Sequence, residues 1–85
     1  MISHVYIVVE NGEAYQQAYS TYEYASNVVK IKYKDIIDDD LKISKEYGCN
    51  PCCEVNVAEN QETGITKLYI EKEIYITIYK VMVKE

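Results

Sequence analysis

Three thiols fall within five residues, Cys49-Asn50-Pro51-Cys52-Cys53, and they form the densest group of chemically able side chains in the chain. Cys49 and Cys52 have the Cys-x-x-Cys spacing, which brings two sulfurs to one point from a turn and suits zinc ligation or dithiol cycling. The rest of the chain completes neither chemistry. A structural zinc wants four ligands, and the only other good candidate, His4, stands at the opposite end of the sequence. A redox pair opens a helix after a strand, whereas this one precedes an apparent strand. Cys49, Cys52 and Cys53 are therefore expected to be ordinary thiols of a turn and the strand that follows it, with no metal and no cofactor.

His4 is the single histidine, and no Ser, Cys or carboxylate adjoins it, so a hydrolytic triad would have to be assembled around it from afar. Paired carboxylates for glycoside chemistry need a cleft, and short loops offer little depth. Gly12, Gly48 and Gly64 are isolated from one another, which leaves no phosphate-cradling loop. The expectation is a protein that is not an enzyme.

The ionisable residues speak about partners instead. Fourteen acidic residues face nine basic ones, every basic residue is Lys, and the net charge is −5. Direct binding of nucleic acid is disfavoured, since phosphate neutralisation and the bidentate guanidinium both lack a source. The acidity suits a basic protein partner, or simply solubility. The Asp38-Asp39-Asp40 run, Glu59 and Glu62 in one loop, and Asp35, Glu71 and Glu73 carry it. If the Asp run and a loop project together, they make a negative surface able to compete for a site that grips phosphates; apart, they are a solvated rim. Ten tyrosines stand where Phe and Trp are absent. Each hydroxyl needs water or a partner, so many should lie at core margins or on a contact surface.

The elements that must position these residues can be read from periodicity. The chain has 85 residues, enough for one core and one domain, 1–85. Asn11-Gly12 between two β-rich runs is a strong hairpin signal, which predicts strands at about 3–10 and 13–19. Val5, Ile7 and Val9 share one face of the first strand, Tyr6 and Val8 the other. Ser20-Thr21-Tyr22-Glu23 has the capping-box form, and Ala25, Val28, Val29, Lys32, Tyr33, Ile36 and Ile37 recur at helical spacing, so a helix should run from Ser20 to about residue 36. The Asp run should break it, and Leu41, Ile43 and Tyr47 before Gly48 suit a short second helix with a left-handed end; an extended segment from Leu41 to Lys45 is the alternative. Cys53 to Val57 alternates like a third strand. Two more runs, Ile65 to Glu71 and Glu73 to Val83, flank a turn near Lys72. The expected fold class is α+β: a mainly antiparallel sheet of about five strands, ββα then βββ, with one main helix on one face. Both faces of the last run are apolar, so a Tyr-bearing face should be left over for docking or for a homodimer. No positively charged apolar leader opens the sequence and no apolar run approaches the ~20 residues of a membrane span, so a cytoplasmic protein without membrane contact is expected. The odd cysteine count fits reduced thiols.

The stretch Val8-Val9-Glu10-Asn11-Gly12-Glu13, with Tyr15, Ala18-Tyr19, Thr21-Tyr22-Glu23, Ala25 and Val29-Lys30, resembles the opening ββα unit of small phage and mobile-element proteins, some anti-CRISPR inhibitors among them. The resemblance covers about the first 35 residues and carries over no functional residue. It implies a small inhibitor of a host defence protein in the host cytoplasm, such as a CRISPR effector or another nuclease. On this reading Asp38, Asp39, Asp40, Glu59 and Glu62 meet basic groups on the partner, and Tyr75 and Tyr79 supply contact area. The alternative reading is a structural or regulatory homo-oligomer.

Overall fold

The computed structural model describes residues 2–84. Strand β1, Ile2–Glu10, turns at Asn11 and Gly12 into β2, Glu13–Tyr19. Both turn residues have positive φ, 50° and 87°, as a type I′ hairpin requires. Two helices follow, α1 over Tyr22–Lys32 and α2 over Lys34–Tyr47, and then β3, Ile65–Glu71, and β4, Ile74–Lys84. The four strands form one antiparallel sheet in the order β2-β1-β4-β3. The first and last strands are therefore central partners, in register from Ile2–Lys84 to Glu10–Ile76.

The helices cover one face of this sheet. Tyr6 and Val8 of β1, Leu68 and Ile70 of β3, and Ile76 and Ile78 of β4 are buried there with Ala25 and Val29 of α1 and Val55 of the long connection. Period two in the strands and spacings of three and four in the helix meet in one core. The expected helical stripe holds: Tyr33, Ile36 and Ile37 pack against that core beyond Val29. Polar groups close the margin. Tyr22 donates its hydroxyl to the Val57 carbonyl (2.7 Å), and the Asn60 and Lys80 amides find Thr66 Oγ1 and the Gly64 carbonyl (3.0 and 2.7 Å).

Several expectations are corrected. Among the described residues the sheet has four strands, not five, and the order is ββααββ. Cys53 to Val57 makes one bridge, Glu54 to Tyr69, and no strand. Its alternation arises because Cys53, Val55 and Val57 turn toward the core as the segment passes the β3 edge; burial on one side produces period two without ladder pairing. Ser20 does not cap α1. Thr21 does, its hydroxyl accepting from the Tyr24 amide at 3.1 Å, so the Ser20–Glu23 box is out of step by one residue.

The helical break also moves, from the Asp run to Tyr33 (φ −109°, ψ 25°). Asp38, Asp39 and Asp40 then sit inside α2. The earlier break places Asp35 in the first turn of α2, where a carboxylate suits the helix dipole, and moves the run out of a C-terminal turn into the N-terminal half of α2, where Lys34 pairs with Asp38 at 2.6 Å. The second helix ends as expected at Gly48, in the left-handed region at φ 67°. Among the described residues no helix is long and apolar enough to cross a membrane.

Candidate functional site

Helix α2 holds Asp38 and Asp39 exposed, while Asp40 turns inward. Asp40 accepts hydrogen bonds from the Cys53 and Cys52 amides at 3.0 and 3.1 Å, and these bonds, the Cys53 amide foremost, hold its carboxyl below the usual range. It thereby pins the chain that follows Gly48. Glu59 is likewise engaged, accepting from the Tyr6 hydroxyl at 2.8 Å. Glu62 is exposed in a turn closed by Asn60, whose Oδ1 accepts from the Glu62 and Thr63 amides. Of the five acidic residues expected to meet a partner, Asp38, Asp39 and Glu62 are exposed, Asp38 with Lys34 bonded to it, and Asp40 and Glu59 are half-buried and serve internal hydrogen bonds.

The thiols separate in the same way. Cys53 is half-buried, donates to the Ile70 carbonyl, and is pushed up to about 11 by burial and then by the nearby Asp40 charge. A thiol so placed is a weak nucleophile at neutral pH. Cys49 and Cys52 are exposed. Among the described residues no three His, Cys, Asp or Glu side chains gather as metal ligands.

Two polar groupings escaped the sequence reading. At the junction of α1 with the first hairpin, Glu10 accepts from Tyr15 (2.8 Å) and pairs with Lys32 (2.9 Å). Burial raises the Glu10 carboxyl, but the Tyr33 hydroxyl near it and the hydrogen bonds from Lys32 and Tyr15 outweigh that, and the carboxyl lies below its ordinary value. The Lys32 ammonium lies 5.0 Å from the Tyr15 ring centre and 5.2 Å from that of Tyr33. The second grouping lines an open concavity of about 430 Å3 with His4, Tyr6, Tyr22 and Glu59. His4 meets Tyr6 edge-on at 5.7 Å, and burial together with Glu59 pushes the Tyr6 phenol up to about 12, so it keeps its proton at neutral pH. Glu10 and Glu59 each lie far along the chain from a partner they meet, Lys32 and Tyr6, and no local spacing announces such pairs.

The broadest feature is the sheet face turned away from the helices. Pairing carries Ala18, Ile7, Tyr79 and Ile65 across it in one row, and Ala14, Val9, Thr77 and Lys67 in the next. Val5 pairs with Val81, Ser3 with Val83, and Tyr69 with Tyr75, whose rings lie 5.5 Å apart. Tyr75 (58% exposed) and Tyr79 (37%) are thereby brought onto one surface, with Val81 and Ile65 beside Tyr79. Lys67 is the one charged residue in these rows. Asp38 and Asp39 belong to the helical layer, so the fold does not join the expected acidic and tyrosine contacts into a single patch. No family model, curated protein or solved structure matches the chain.

Proposed function

We propose that the chain is a stoichiometric protein-binding inhibitor, which occupies a basic, nucleic-acid-gripping site on a host defence protein such as a CRISPR effector nuclease. The observation that supports this reading is the segregation of charge. The paired rows of the open sheet face carry one charged residue, Lys67, while residues 49–64 carry Glu54, Glu59 and Glu62 with no basic residue and α2 exposes Asp38 and Asp39, so the acidic surplus lies away from those rows. Asp38 and Asp39 on α2 and Glu62 in the loop would face Lys and Arg of the target, with on-rate and specificity set by the negative potential. Occlusion requires no covalent chemistry, and the protein would act without turnover in the host cytoplasm.

Capture on the immobilised chain from a lysate of a host carrying active defence nucleases tests the reading. A basic nuclease should be retained, released by raised salt, and lost when Asp38→Lys and Asp39→Lys are combined. Retention of no such protein, with nuclease activity undiminished by the added chain, would remove the proposal.

A further inference from the structure

We infer that the open sheet face is the contact between two copies of this chain, packed face to face about a two-fold axis that runs along the strands between β1 and β4. Three properties of the face select a second copy as its occupant. The first is relief. In the row Ala18–Ile7–Tyr79–Ile65 the side chains rise from small at the β2 edge to large on β4 and β3, and the next row ends on Lys67 opposite the small Ala14 edge. An axis along the strands lays the high side of one copy over the low side of the other. Ile7 then meets Tyr79 of the second copy, and Ile65 meets its Ala18. A surface stepped in this way is complementary to itself, which is the requirement of an isologous contact.

Charge is the second property. A chain of net charge −5 repels its own copy wherever carboxylates face each other. The paired rows from Ser3–Val83 to Tyr69–Tyr75 hold no carboxylate, since Glu71, the next residue on this side of β3, stands beyond them at the strand end, and Lys67 sits in the outermost strand, where its stem can lie over Ala14 while the ammonium reaches water at the rim. A strongly basic partner would find nothing to pair with here, whereas a second copy leaves both acidic layers outermost and far apart.

Size is the third. Four strands about 4.8 Å apart and seven to eleven residues long give a planar footprint of roughly 500 Å2 per copy, which side-chain relief carries toward the ~800 Å2 per partner of a stable interface. Sheets stacked in this manner keep their strands within about 30° of one another, so the central contacts near the axis stay in register. The hydroxyl of Tyr75, away from the centre, remains able to reach water at the end of the stack.

This contact is independent of the target proposed above, because it uses the opposite side of the molecule from Asp38 and Asp39. Light scattering on the full chain across about a hundredfold range of concentration should give twice the 9.9 kDa mass. Ile7→Lys and Tyr79→Lys should each weaken association at least tenfold while the far-ultraviolet dichroism is unchanged, and Tyr24→Lys, on the exposed side of α1, should leave the dimer intact. An equimolar mixture of Ile7→Lys with Tyr79→Glu should associate again, since the axis sets those positions opposite each other. A 9.9 kDa species at every concentration, including one that instead takes up a foreign protein, overturns the proposal. A dimer insensitive to both face substitutions overturns it too, and a mixture of folded variants that stays monomeric overturns the placement of the axis.

Discussion

Asn11 and Tyr75 are joined twice: the Asn11 amide donates to the Tyr75 carbonyl at 3.0 Å, and the Tyr75 amide donates to Asn11 Oδ1 at 2.8 Å. Asn11 Nδ2 also reaches the Glu73 carbonyl at 2.6 Å. One side chain in the first hairpin turn thus clamps the turn of the second hairpin, 62 positions away along the chain. Asn11→Ala should remove both side-chain bonds and strain a residue at φ 50°, with a loss of about 1–3 kcal/mol in urea unfolding. Asn11→Gly relieves the strain and should lose less.

The Glu10 cluster makes stability depend on pH with a defined sign. Its carboxyl is held below its ordinary value of 4.5 in the folded chain, so its contribution is complete above that value and fades as pH falls through the lower folded value. Urea midpoints measured between neutral and acid pH should show this decline, and Glu10→Gln should flatten it while costing roughly 1 kcal/mol at neutral pH.

Ile78 is nearly inaccessible on the helical side of β4, while its neighbour Tyr79 lies on the open side. Ile78→Ala leaves a cavity in the core and should destabilise by about 2–5 kcal/mol, read from denaturant unfolding. A loss below that range would mean the helices do not close over this strand.

Gly48 ends α2 at φ 67° with open space where a Cβ would stand, so only the backbone conformation resists substitution. Gly48→Ala should cost about 1 kcal/mol and Gly48→Asn less, by thermal or urea unfolding.

Thiol labelling should separate the cysteines. Cys49 and Cys52 are exposed, while Cys53 is half-buried, bonded to the Ile70 carbonyl, and raised to about 11. Iodoacetamide at neutral pH should modify Cys49 and Cys52 in the folded protein and Cys53 only in urea, as mass spectrometry of the digested chain would report.

Both hairpins, the core stripe of α1 and the left-handed end at Gly48 were legible in the residues, because each depends on neighbours within a few positions. The break at Tyr33 was not, since the stripe from Ala25 to Ile37 continues across it and backbone bonds such as Ile37 N–H to the Tyr33 carbonyl bridge it. Nor was the use of Asp40, whose run reads as a helix breaker until the Cys52 and Cys53 amides, a dozen residues on, come to meet it.

From its sequence alone this protein was bound to have an acidic surface, strands apolar on both sides and a helix with one apolar stripe, for these are properties of residue types and of periods 2 and 3.6. Which apolar side is covered is a long-range matter. Pairing β1 with β4 in the centre of the sheet commits Tyr6, Val8, Ile76 and Ile78 to the helices and turns Ile7, Val9, Tyr75 and Tyr79 outward. Local periodicity treats the two sides alike, and only packing, which brings β1 and β4 together across the intervening sequence, breaks that equivalence.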